Sequence, residues 1–207
     1  MSFKEYIGSQ FAEPNGVGGL ITTKIMNVMN TEHYRAVEKF VCKNKGARIL
    51  DVGFGNGQML KVLDKKLDAK LYGIDISSDM LDTAVEKNYD AVTLNKMMLQ
   101  QASITSLPYN DDFFDTVFTI NTIYFWEDMT KAFSEVLRVL KNGGSFVCTF
   151  YSKDYLDKLS YCDTGFAKFT PQTVRSLARE NGFHNVKIKI LKEGKSYCLV
   201  GEKISGV

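Results

Sequence analysis

The chain has little that would hold a metal or a polyanion. Its two histidines, His33 and His184, and four cysteines, Cys42, Cys148, Cys162 and Cys198, are scattered, with no CxxC spacing among them. No zinc-type or redox-pair reading is available, and no metal is expected. A net charge of +2 gives no field that would draw nucleic acid or a membrane surface. No apolar run reaches the 18 residues that a membrane helix needs, and the segment Met1 to Tyr6 carries no secretory apolar core. There are no internal repeats, low-complexity tracts or linkers. With 207 residues, 44% of them hydrophobic, one sizeable core is expected, in a reducing, cytoplasmic setting. Cys148 and Cys198 fall within apolar strand-like runs and read as buried reduced thiols.

What the chain does have is a concentrated glycine signal. Arg48 to Val52 reads as a short strand, followed by Gly53-Phe54-Gly55-Asn56-Gly57 and a helical pattern through Met59, Leu60, Val62, Leu63 and Leu67. Alternate glycines clear one wall of a turn, so that a ligand can lie against bare backbone. The helix start behind them offers free N–H groups. A second strand-like run, Lys70 to Ile74, ends in Asp75, where a carboxylate can accept both hydroxyls of a ribose. A dinucleotide fingerprint needs G-x-G-x-x-G, but Gln58 stands at its third glycine. Asp51, two residues before Gly53, completes a different frame.

That frame, Asp51-Val52-Gly53-Phe54-Gly55-Asn56-Gly57, resembles the first motif of the class I S-adenosylmethionine (SAM)-dependent methyltransferases, D/E-x-G-x-G-x-G. Further stretches resemble the ubiquinone/menaquinone-type small-molecule group of that family. They are Asp75-Ile76-Ser77-Ser78-Asp79-Met80-Leu81, Ala102 to Pro108, Asp111 to Val117, and Leu140-Lys141-Asn142-Gly143-Gly144. The likeness spans roughly residues 47 to 203. It implies SAM as cofactor, S-adenosylhomocysteine as product and a small-molecule acceptor, with neither nucleic acid nor membrane as partner. It also implies cofactor contacts from Asp51, Gly53, Phe54, Gly55, Asn56, Gly57, Asp75, Ile76, Met80, Ser103, Ile104 and Asn121. Ile76 and Met80 would sandwich the adenine, and Phe54 would add a ring beside the cofactor. Ser103 stands where the family has an adenine-binding aspartate.

The implied fold is α/β: a Rossmann-like, seven-stranded, mostly parallel sheet with helices on both faces and an antiparallel C-terminal hairpin. Residues 1–45 are expected to form a helical extension or lid, and 46–207 the SAM-binding domain. Local signals agree. Thr31, Ser77 or Ser78, Asp128 and Thr170 are helix caps, and one helical pattern runs from Ser78 to about Asn95. Asn142-Gly143-Gly144 reads as a left-handed stop to the helix carrying Ala132, Phe133, Val136 and Leu140. Lys192 to Lys195 turns the hairpin. Catalytic candidates are Tyr124, Tyr151 and His33. Glu127, Asp128 and Asp154 are further possible bases, and Tyr6 and Phe11 lid residues. Tyr124, Phe125, Trp126 and Tyr151 can wall a pocket by ring faces or simply pack in the core. Two other readings stay open: a SAM binder that does not methylate, and a nicotinamide oxidoreductase.

Overall fold

The structure, a computed structural model, describes residues 30–41, 43–163 and 165–204. Tyr6, Phe11, Cys42 and the helix expected before Thr31 lie outside the described residues. Helix α1, Thr31–Phe40, comes first. Strand β1, Arg48–Val52, then leads through the glycine loop to α2, Gln58–Asp64. β2, Lys70–Asp75, leads to α3, Ser78–Lys87, and α4, Tyr89–Thr93. β3, Met97–Gln101, and β4, Phe114–Ile120, precede α5, Met129–Val139. β5, Leu140–Tyr151, is followed by the short α6, Lys153–Leu156, then α7, Pro171–Glu180, and the hairpin β6, His184–Lys192, with β7, Ser196–Glu202.

The seven strands form one sheet in the order β3-β2-β1-β4-β5-β7-β6. β1 to β5 are mutually parallel, while β7 pairs antiparallel with β5 and β6. Residues alternate between the faces of a strand, so the sheet is buried on both sides. Leu50, Val117 and Phe146 pack against α5 and α7 on one face. Ile49, Phe118 and Val147 meet Val37 of α1, Leu60 of α2 and Met80 of α3 on the other. Strand order reverses between β1 and β4, which makes their carboxyl ends the natural ligand crevice.

Caps follow the local chemistry. Ser77, Asp128 and Thr170 each accept a backbone N–H from the first turn of their helices. Asn30, not Thr31, precedes α1, and its side chain turns elsewhere. Two boundaries differ from expectation. The helix after Ser77 breaks at Asn88, whose side-chain amide donates to the carbonyls of Ala84 at 2.9 Å and Gly57 at 3.3 Å. α5 ends at Val139, one turn early, and Asn142-Gly143-Gly144 lie inside β5. There Gly143 (φ +78°) bonds to the Lys203 carbonyl, and the pairing of β4 with β5 shifts register. The glycines absorb an irregularity of the strand, not a helix end.

Candidate active site

A crevice of about 280 Å³ opens over the carboxyl ends of β1, β2, β3 and β4. Gly53, Gly55, Asp75, Ile76, Ser103, Ile104 and Asn121 of the expected residues line it, together with Thr122, Phe125, Trp126 and Glu127. At its centre Asp75 holds the loop: its Oδ2 accepts the Gly55 N–H at 2.8 Å and its Oδ1 accepts that of Ser77 at 3.1 Å.

The three loop glycines serve different ends. A Cβ on Gly53 (φ +75°) would fall 2.4 Å from Cγ2 of Thr122. A Cβ on Gly57 (φ +70°) would lie 2.6 Å from the Asn88 amide and 2.9 Å from Ala84. Only Gly55 (φ +53°) faces open space, with nothing within 4 Å of the missing Cβ. Gly57 is therefore demanded by packing of α3, and only Gly55 leaves room for a ligand.

Besides Gly57, four expected contacts are not placed on the crevice. Phe54 is buried, and its ring presses on Gly73 beneath the loop. Asn56 is also buried, and its Oδ1 accepts the Gln58 N–H at 3.2 Å to start α2. Met80 is 1% exposed and packs in the core, whereas Ile76 is 51% exposed on the crevice wall. Asp51 lies behind the loop; burial, and then the nearby Asp75 charge, hold its carboxyl well above the usual range. Ser103 does line the crevice, and its hydroxyl oxygen accepts the Thr105 N–H at 3.2 Å.

The aromatic candidates sit beside a second, smaller cavity of about 40 Å³. Asn121 and Phe125 line both cavities and divide them. Asn121, at φ +58° on the end of β4, donates its amide to Oδ1 of Asn30 at 2.8 Å. Its own Oδ1 accepts the Tyr124 hydroxyl at 3.1 Å, and that hydroxyl oxygen in turn accepts the Tyr151 backbone N–H. Burial drives the Tyr124 phenol well above its ordinary value. With its hydroxyl engaged on both sides, Tyr124 ties Asn121 to the end of β5. Tyr151 is buried, its phenol also raised by burial, with His33 edge-on at 4.8 Å. His33 is wholly buried and lines neither cavity. Asp128 caps α5, and exposed Asp154 lies on neither wall; Glu127 stands on the crevice.

Sequence reasoning missed the supports. Thr119 donates to the Val52 carbonyl at 2.8 Å and meets Thr122, which accepts the Trp126 indole N–H at 3.2 Å. Glu135 on α5 accepts the Leu107 N–H at 2.8 Å, and Arg138 bridges Glu135 to the carbonyls of Leu107 and Tyr109. These bonds fix the segment after the Ser103–Thr105 wall. The E-x-x-R spacing on one helix was the available signal.

A family model described as a methyltransferase domain matches residues 50–148. The uncharacterized methyltransferase YdaC of Bacillus subtilis is 30% identical over 169 residues, which cover 77% of this chain and 84% of that protein. The ubiquinone/menaquinone biosynthesis C-methyltransferase UbiE of Vibrio vulnificus is 31% identical over 143 residues, 66% of this chain and 55% of that one. Among solved structures, phosphoethanolamine N-methyltransferase 2 of Haemonchus contortus in complex with SAM shares the fold, with a TM-score of 0.72 at 17% identity over 85% of this chain and 53% of that one. The chain belongs to the class I SAM-dependent methyltransferases. Among the described residues, no helix is long and apolar enough to cross a membrane, and no metal-ligating cluster occurs.

Proposed function

We propose that the protein transfers a methyl group from SAM to a small molecule, with the cofactor held in the larger crevice. The observation that carries the placement is Asp75, fixed at the tip of β2 against the N–H of Gly55, where the absent side chain leaves open space. A ribose presents two adjacent hydroxyl donors, and a carboxylate at the tip of the second strand is the acceptor that suits them. Exposed Ile76 and the Ser103-Ile104 backbone form a slot for a flat base. SAM bound there would supply an electrophilic methyl group on a sulfonium. The contribution of the chain is then alignment in a confined site, and fixed geometry of this kind is worth several kcal/mol. Asn121, Phe125 and Trp126 form the wall nearest an incoming acceptor.

The small-molecule reading is supported by the narrow cavities and by a net charge of only +2. Three buried free thiols, Cys148, Cys162 and Cys198, support a reducing, cytoplasmic setting. Asn30, bonded to Asn121, ties the head of α1 to the site, in keeping with a role for the N-terminal part of the chain there. Calorimetry with S-adenosylhomocysteine tests the reading. Asp75→Ala is expected to weaken binding about 100-fold or more, because hydrogen bonds to a charged group contribute about 1.5–3 kcal/mol each. Asp154→Ala is expected to leave it unchanged. Unchanged affinity in Asp75→Ala, or tighter binding of NAD than of the nucleoside, would overturn the placement.

A further inference from the structure

We propose that the smaller cavity is the acceptor chamber and that it takes the uncharged, apolar ring or chain end of its substrate, excluding ammonium and carboxylate groups. This rests on the cofactor reading above and adds the class of acceptor. The chamber adjoins the cofactor crevice across Asn121 and Phe125, the two residues that line both. Its other walls are Tyr124, Tyr151, Leu156, Leu159, Tyr161 and Phe166, with Cys162 and Asn30 completing it. Among the described residues, no charged side chain lines it.

Two of the polar groups on the chamber wall are already engaged. The Tyr124 hydroxyl is held by Asn121 and by the Tyr151 N–H, and the Asn121 amide is held by Asn30. An entering ion would thus lose its water and find no counter-charge, a cost that a ring face alone does not offset. Charges behind the walls come in opposite pairs. Lys195 stands 5.3 Å from the Tyr151 ring centroid, and Glu32, held by the Ser196 hydroxyl at 2.6 Å, acts on the same phenol. Lys168, near Cys162, is paired with Asp157 at 3.0 Å and Asp163 at 3.8 Å. The volume of about 40 Å³ corresponds to only a few water sites, so the acceptor inserts end-on.

The test is calorimetry on the full chain saturated with S-adenosylhomocysteine, using 2-naphthol, phenethylamine and phenylacetate as probes. The neutral ring is expected to bind at least about tenfold more tightly than either ion, an unpaired buried charge being the larger penalty. Leu159→Phe, which fills the chamber, is expected to weaken naphthol at least about tenfold while nucleoside affinity stays within about twofold. Leu159→Ala, which widens it, is expected to keep or improve naphthol binding. Equal or tighter binding of either ion, no binding of naphthol, or a Leu159→Phe variant indistinguishable from the parent would each overturn the proposal. Failure of the parent chain to bind the nucleoside would instead remove the cofactor reading on which the proposal stands.

Discussion

His33 is wholly buried, yet neither of its ring nitrogens has a hydrogen-bond partner. Burial, and then the Lys195 charge, push its pKa down to about 3, so the ring is neutral in the folded protein at all ordinary pH. In the unfolded chain the same ring takes a proton near pH 6.5. The unfolded state therefore binds more protons between those limits, and stability falls as pH drops from about 6.5 towards 3. One such group accounts for about 2–3 kcal/mol lost by pH 4.5. Denaturant unfolding at pH 7 and pH 4.5 is expected to show that loss in the parent and a shallower one in His33→Leu. At pH 7 the leucine variant should be at least as stable, because it removes two unsatisfied polar atoms. Equal acid sensitivity in both proteins would sink the account. The histidine was legible as a residue of interest, but its role was not, because burial comes from α1 packing on the sheet and no local pattern encodes that. The same holds at the glycine loop: its spacing marked the site, while the division of labour between Gly53, Gly55 and Gly57 depends on Thr122, Asn88 and Ala84.

Among the elements, α5 does more than cover the sheet. Its Glu135 and Arg138 clamp the Leu107–Tyr109 segment, which continues the crevice wall from Ser103 to Thr105. The Arg138 side chain, by its hydrogen bonds first, holds the Glu135 carboxyl below its usual range. Arg138→Met would leave the nearly buried Glu135 without its cation and release two carbonyls. A stability loss of about 2 kcal/mol is expected, together with weaker S-adenosylhomocysteine binding and an unaltered fold by circular dichroism. Thermal unfolding and calorimetry on the one variant check both; full retention of affinity would show that the clamp serves stability alone. Elements with local signatures were readable, namely the caps at Ser77, Asp128 and Thr170 and the hairpin turn at Lys192 to Lys195. The misread ends have non-local causes. The break at Asn88 is set by its bond to Gly57, 31 residues away, and the Asn142-Gly143-Gly144 bulge by pairing with Lys203.

On the scale of the whole molecule, the crevice is made by strand order. β1 and β4 are adjacent, but their following segments run to opposite faces: α2 joins the face of α1 and α3, and α5 the face of α7. The segment between the two strand ends is left open, and Gly53, Asp75 and Asn121 meet there from positions far apart in the chain. Element types and the parallel class could be read from period and punctuation, and the seven-stranded sheet with its antiparallel end was implied by family likeness; the order of strands was not read, since pairing across the sheet leaves no local mark. A ligand that bridges β1, β2 and β4 couples to global stability, because unfolding any of these strands destroys its site. At 100 times its dissociation constant such a ligand adds about 2.7 kcal/mol. For a domain of this size that corresponds to a rise of roughly 5–10 °C in Tm. The glycine variants separate this coupling from intrinsic stability. Gly57→Ala meets both a left-handed backbone and the Asn88–Ala84 surface, so its ligand-free Tm should fall well below that of Gly55→Ala, which meets only the backbone cost of about 1–2 kcal/mol. Gly55→Val should in addition lose the S-adenosylhomocysteine-induced rise, because its side chain fills the space a ligand would use, whereas Gly57→Ala should keep a rise of near-parent size at saturating ligand. Differential scanning fluorimetry with and without the nucleoside distinguishes these outcomes, and the reverse pattern would move the ligand away from Gly55.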